Sequence, residues 1–297
     1  MKASRPGRLG VGIIGAGKVG AVLGAALRAA EHQIVGVHAV SEASKERAEM
    51  LLPGVPVLEI PEILRRAELV LLAVPDDALA DLVSGLAAAG HWQAGQLVVH
   101  TAGRYGTKVL APASQAGAIA LAIHPAMTFT GMSMDLERLN DCAFGVTAPN
   151  MVLPIAQALV VEMGGEPVAI AEEDRVIYHA ALAHASNHLV TIAGQAAGLL
   201  SGIGVEHPER VLSSLMRASL ENALASGEGA LTGPIARGDV QTVAEHKAAL
   251  DSAGVARDTR EGYLAMSRAT ALRANARGLI GTDKLEAILA AIDGAAR

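Results

Sequence analysis

The stretch Val11-Gly12-Ile13-Ile14-Gly15-Ala16-Gly17-Lys18-Val19-Gly20 constrains this chain more than any other. An apolar run ends at Gly15, and Gly15, Gly17 and Gly20 stand in G-x-G-x-x-G spacing. Ala21 to Ala30 then follows with a helical pattern. Strand, tight turn and helix in that order let the backbone approach a pyrophosphate at Gly17, with the helix N-terminus facing the phosphate charge. In a chain with 32 glycines the spacing alone says little. The strand before it and the helix after it carry the reading, against a close-packed strand–helix corner with no ligand.

Composition narrows the class. A chain of 297 residues, 51% hydrophobic and 18% charged, has the makings of a globular protein of about two domains. A net charge of -6 without a basic block argues against a nucleic-acid partner. A single cysteine, Cys142, allows no internal disulfide and fits a reducing cytoplasm. Lys2, Arg5 and Arg8 before an apolar run superficially resemble a secretory leader. Lys18 and the glycines interrupt that run, so it reads as strand and helix. No apolar run demands a membrane, and a soluble protein is expected.

The first half alternates β-rich runs with helical stretches, the pattern of a parallel sheet. Strands are predicted at Leu9–Ile14, Gln33–Val40, Leu69–Val74, Gln96–His100, Ala118–Ile123, Ala143–Thr147 and Glu166–Ile170. In such sheets ligands bind outside the carboxyl ends of the strands. Those ends carry Gly15–Gly20, Ser41, Val74-Pro75-Asp76, His100-Thr101-Ala102-Gly103 and His124-Pro125. The second strand ends without the acid that holds the ribose hydroxyls of NAD. Ser41, Ser44, Lys45 and Arg47 follow, which suits the 2′-phosphate of NADP, with NAD still possible. The competing reading makes Lys45 and Arg47 the solvated face of a helix.

After Ile170 long Ala/Leu-rich helical stretches take over. The expected division is a doubly wound, mostly parallel α/β domain over residues 1–171 and an all-α domain over 172–297. One helix should run from about Asp174 to about Leu200. Helical spacing places His179, Ser186 and Asn187 on one side of it, and His184 and His188 on another. Ala-Ser-Asn separates the latter pair, without the glutamate of zinc enzymes, so no metal is expected. Further on, Leu231-Thr232-Gly233-Pro234-Ile235-Ala236-Arg237-Gly238-Asp239 forms a long connection ahead of a helix capped by Asp239. That setting suits an anion, or it is an ordinary long loop.

Taken in order, several motifs resemble one family. They are Gly15-Ala-Gly17-Lys-Val-Gly20, Val74-Pro75-Asp76-Asp77, Val99-His100-Thr101-Ala102-Gly103, His124-Pro125-Ala-Met-Thr128-Phe129, Tyr178-His179-Ala180-Ala181 with Ser186-Asn187, and Leu231 to Asp239 with Thr242-Val243. The family is that of Rossmann-like NAD(P)-dependent oxidoreductases whose C-terminal helical half was long labelled as of unknown function. It is similar in build to ketopantoate reductase, pyrroline-5-carboxylate reductase and the β-hydroxyacid dehydrogenases, and the resemblance covers almost the whole chain.

The resemblance implies a cofactor site of Gly15, Gly17, Lys18, Val19, Gly20, Ser41, Ser44, Val74, Pro75, Thr101 and Gly103. His124, Thr128, Ser186, Thr232, Gly233 and Arg237 would meet a small anionic substrate. The superfamily's catalytic helix often carries Lys-x-x-x-Asn. Asn187 matches the asparagine, but Ala183 stands at the lysine, which leaves His179 as the candidate proton donor. The implied reaction is reduction of the carbonyl of a 2-oxo acid of the ketopantoate type. Imine reduction, as in pyrroline-5-carboxylate reductase, and a non-catalytic dinucleotide sensor are the alternatives. A homodimer through the helical half is expected.

Overall fold

The computed structural model describes residues 8–251 and 254–294. Lys2 and Arg5 of the leader-like segment lie outside them. The chain forms two compact units, residues 1–184 and 185–297.

The first unit is built on seven strands, β1 (Gly10–Ile14), β2 (Gln33–His38), β3 (Leu69–Leu72), β4 (Leu97–His100), β5 (Ile119–Pro125), β6 (Ala143–Thr147) and β7 (Glu166–Ala169). Each lies where the apolar runs predict it. Their order is β2-β1-β3-β4-β5-β6-β7. All neighbours are parallel except β5 and β6.

Side chains alternate across this sheet, and both faces are covered. Val11 and Ile13 pack with helices α1 (Lys18–Ala29) and α2 (Glu42–Leu51) on one face. Ile14, Val70 and Leu72 pack on the other with α3 (Ile60–Arg66), α4 (Asp76–Ala88) and the short α5 (Ala111–Gln115). The short α6 (Met134–Arg138) precedes β6, and α7 (Leu153–Glu162) returns to the first face. Burying each such aliphatic side chain contributes about 1.5–3 kcal/mol, which is why the strands can be almost uninterrupted apolar runs.

Consecutive strands turn in opposite directions at β1, since β2 lies on one side of it and β3 on the other. Gly15 N–H donates to His38 O, Ala73 N–H to Ile14 O and Thr101 N–H to Leu72 O, so these strand ends share one edge. A crevice at that switch point is where this fold class takes ligands.

Among the described residues no strand follows β7, and α8 (Arg175–Gly202) begins one residue beyond the predicted start. The compact units divide within α8, because its first turns belong to the sheet. Arg175 Nη2 donates to the carbonyls of Ala122 and Gly145 there. In the second unit follow α9 (Pro208–Ser226), α10 (Val240–Leu250), α11 (Arg257–Ala276) and α12 (Thr282–Asp293). This unit has its own core of Ile235, Val243, Ala271, Ala274, Ile280, Ile288 and Ile292. Among the described residues no helix is long and apolar enough to cross a membrane.

Candidate functional site

The three motif glycines do three different things. Gly15 has φ +98, and a Cβ there would sit 2.5 Å from Ala73 O, so only glycine turns the chain so close to the end of β3. At Gly20 a Cβ would strike Gly15 O at 2.0 Å, so the missing side chain lets α1 pack on the turn. Around Gly17 a Cβ would meet nothing within 4 Å. Packing therefore does not require the middle glycine, and it borders open space at the start of α1. Gly17 is the N-cap of that helix and offers no capping side chain, and no acid stands in its first turn. The first N–H groups are left without a side-chain acceptor, and the helix dipole adds partial positive charge. This arrangement fits the pyrophosphate of a dinucleotide.

The group expected around the 2′-phosphate is largely engaged elsewhere. Ser41 caps α2, its hydroxyl accepting from Ser44 N–H. The Ser41 hydroxyl proton goes to Ser44 Oγ, and the Ser44 proton to Ser41 O. Lys45 pairs with Glu42 at 2.8 Å on the exposed face of the helix, the solvated-face reading of that residue. Arg47 instead turns inward, with Nη1 3.4 Å from Ala16 O in the middle of the glycine turn.

Further along the same edge, histidines gather. His100, at the end of β4, is fully buried; its Nε2 lies 2.8 Å from Gly106 O and its Nδ1 accepts from Ala102 N–H. Burial lowers its pKa to about 4, against the opposing Gly106 hydrogen bond. This neutral ring shapes the loop carrying Thr101, Ala102 and Gly103. On Gly103 a Cβ would lie 2.6 Å from His179 Cδ2 and 2.9 Å from His124 Nε2, so glycine lets both imidazoles rest on the loop. His124 and His179 meet edge to face with centroids 6.1 Å apart. The structure thus brings together three of the predicted site residues, Gly103, His124 and His179.

Two neighbours escaped the sequence reading. The Tyr178 hydroxyl lies 3.0 Å from His124 Nδ1 and only at the limit, 3.5 Å, from His124 O. The shorter contact is the better hydrogen bond, and His124 Nε2, on the other side of the ring, faces Gly103. Burial pushes the Tyr178 phenol up. Arg175 is 1% exposed, its Nε donates to Thr147 Oγ1, and its Nη1 has no partner among the described residues. Burial, then His179, Arg175 and His100, lower the pKa of His124 to about 4. At neutral pH the His124 ring is therefore uncharged. Nothing in the spacing of Tyr178 or Arg175 marked them. Only the tyrosine's place beside His179 in the helical motif hinted at a role.

Val74 and Pro75 lie at the end of β3, with Val74 N 3.3 Å from the position of a Gly15 Cβ. Thr128 is exposed in the loop after β5. Ser186 and Asn187 open the second unit, on the same helix as His179, and Asn187 is exposed. The loop bearing Thr232, Gly233 and Arg237 leads into α10, where Asp239 accepts from Thr242 N–H as the sequence predicts. Gly233 has φ +94, and Arg237 is exposed. Among the described residues no cluster of three potential metal ligands occurs.

Solved structures of the same fold include a provisional NADP oxidoreductase from Bacteroides fragilis, with a TM-score of 0.71 and 21% identity, covering 89% of this chain and 98% of that one. An imine reductase from a Pseudomonas species aligns with a TM-score of 0.61 and 17% identity, over 92% of this chain and 100% of its own. The 1-pyrroline-5-carboxylate reductase of Streptococcus pyogenes aligns at 0.57 and 18%, over 95% and 99%. No curated protein matches the chain in sequence. Residues 2–125 match the Rossmann-like domain, and residues 142–270 match the domain of unknown function DUF2520. The chain is therefore built of a Rossmann-like domain followed by a domain of the DUF2520 family.

Proposed function

We propose that this protein is an NAD(P)H-dependent reductase of a small anionic imine. The observation that carries the reading is the division of labour among the glycines: Gly15 and Gly20 are required by packing, whereas Gly17 borders open space. A strand–helix corner without a ligand needs the first two and not the third. When bound, the nicotinamide supplies a hydride, and the protein's part is to hold the acceptor, exclude water and manage the proton.

The donor set favours C=N over C=O. A hydride arriving at a carbonyl builds an oxyanion, which needs hydrogen-bond donors around it and then a proton source. Ala183 stands where the superfamily's lysine would be, and His124 is uncharged at neutral pH. A protonated imine already carries its proton. Hydride addition to its carbon moves the C=N electron pair to nitrogen and leaves a neutral amine, so no anion needs stabilising. His179 is the group to keep the imine protonated, and Arg237 suits a substrate carboxylate. The fold shared with imine and pyrroline-5-carboxylate reductases supports this reading over the 2-oxo acid of the ketopantoate type.

The cofactor reading includes NADPH ahead of NADH, because the end of β2 carries no acid to repel a 2′-phosphate. We place the protein in the cytoplasm, in keeping with its one buried, unpaired Cys142. It works as a homodimer through the helical half. In support, α9 buries none of its 19 residues, and Val190, Val211, Leu215 and Leu224 stay exposed. Most helices in proteins draw their stability from packing an apolar face, and light scattering reads the dimer directly.

NADPH consumption over a panel of cyclic imines and 2-oxo acids tests the chemistry. Turnover of carboxylated cyclic imines above 2-oxo acids is expected. The reverse preference restores the carbonyl reading, and binding without turnover of either class makes the protein a sensor.

A further inference from the structure

The loop between β5 and α6 carries machinery that neither the glycine turn nor the histidine cluster uses. Asp135 is fully buried, and its carboxylate accepts from Thr130 N–H and Gly131 N–H at 2.8 Å each and from Thr130 Oγ1 at 3.0 Å. Burial alone would raise its pKa, but the Gly131 and Thr130 hydrogen bonds and the Arg138 charge hold it below the usual carboxylate range. So fastened, Gly131 takes φ +81, and a Cβ on it would meet Arg47 Nε at 2.6 Å and Lys18 Cγ at 3.0 Å.

Two cations from different helices are therefore brought against one glycine, at the opening of the glycine turn. Lys18 is the first residue of α1, and Arg47 leans from α2 onto Ala16 O. Neither is paired with a carboxylate among the described residues, whereas Lys45, two positions from Arg47, is paired with Glu42. A guanidinium has five N–H donors, and among the described residues this one makes a single long hydrogen bond, to Ala16 O. Its position beside Ala16, rather than beside Ser41 at the end of β2, points to the phosphates shared by both nicotinamide cofactors.

We propose that Arg47, with Lys18, is a pyrophosphate ligand of the bound dinucleotide, and that Asp135 is the positioning residue that holds Arg47 there through Gly131. The proposal rests on the dinucleotide reading of the glycine turn, and it reassigns Arg47 from the 2′-phosphate suggested by its place after β2. A charge-assisted contact of this kind should be worth roughly ten- to a hundredfold in affinity.

The test is calorimetric titration of the full-length protein with NADPH and with NADH. Arg47→Ala should weaken both by the same factor, roughly tenfold or more. Asp135→Asn should also weaken both, and in the double variant it should add nothing to Arg47→Ala, since it acts through that side chain. If Asp135→Asn does not fold, Gly131→Ala, which pushes a methyl into Arg47, takes its place in the same cycle. Unchanged affinities in Arg47→Ala overturn the proposal. A loss confined to NADPH overturns the pyrophosphate assignment in favour of the 2′-phosphate. Additive losses remove Asp135 from the positioning role. A wild-type protein that binds neither nucleotide overturns the dinucleotide reading itself.

Discussion

The Tyr178 hydroxyl stands 3.0 Å from Nδ1 of His124, with the two rings edge to face and their centroids 5.7 Å apart. This contact couples the phenol to the imidazole whose other nitrogen, Nε2, faces Gly103. Tyr178→Phe should lower kcat by about tenfold while leaving NADPH affinity unchanged, because it disturbs a donor and not the cofactor cradle. It should cost about 1 kcal/mol of stability, the usual net worth of one hydrogen bond. Steady-state kinetics beside a denaturant titration checks both; unchanged kcat would make Tyr178 a packing residue.

Acid should weaken the fold well before the carboxylates titrate. His100 and His124 have folded-state pKa values of about 4, below the unfolded value near 6.5. Between those limits the unfolded chain binds more protons, so stability is full above about pH 6.5 and falls as pH drops towards 4. From pH 7 to pH 5 the loss should approach about 2 kcal/mol per histidine, less in sum because the two rings interact. Asp135, Asp239 and Asp251 have lowered pKa values, so their stabilisation is lost only below the unfolded value near 4. Urea titrations at the two pH values check this loss. A flat profile would mean that these rings are not buried neutral.

Gly17→Val should abolish binding of both NADPH and NADH without unfolding the protein, since its side chain enters space that no protein atom occupies. The wild-type protein should bind NADPH more tightly than NADH. Calorimetry with thermal melts as a control decides both points. Equal or reversed affinities would mean that the region after β2 does not read the 2′-phosphate.

What the sequence made readable follows from local physics. The strands were found because a sheet covered on both faces needs nearly continuous apolar runs, as at Leu69–Leu72, and the Asp239 cap because its acceptor and donor lie three residues apart. The turn at Gly15–Gly20 is local in the same way. Contacts made across the fold were not readable. Tyr178 and His124 are 54 residues apart, and Arg175 reaches carbonyls 53 and 30 residues away. Helical phase also cannot tell which cation of a pair folds inward, so Lys45 and Arg47 looked alike until one met Glu42 and the other Ala16. Asp135 carries no mark in the sequence; in the fold it is buried and accepts from the N–H groups of Thr130 and Gly131.

Arg237→Met should raise KM for a carboxylated substrate by roughly ten- to a hundredfold and leave NADPH affinity nearly unchanged, the signature of a lost charge-assisted contact to substrate. Initial-rate kinetics with a carboxylated imine and its uncharged analogue separates the cases: the analogue should be indifferent to the substitution. A loss of cofactor affinity instead would move Arg237 to the phosphate side of the site.

The proposed reaction moves a hydride from a nicotinamide to the carbon of a C=N bond. Turnover of a cyclic imine with NADPH deuterated on one or the other face of nicotinamide C4, followed by mass spectrometry and NMR of the amine, tests it most directly. Deuterium is expected at the former imine carbon from one labelled cofactor and not from the other. Amine lacking deuterium from either cofactor, or no amine at all while 2-oxo acids are reduced, would contradict it.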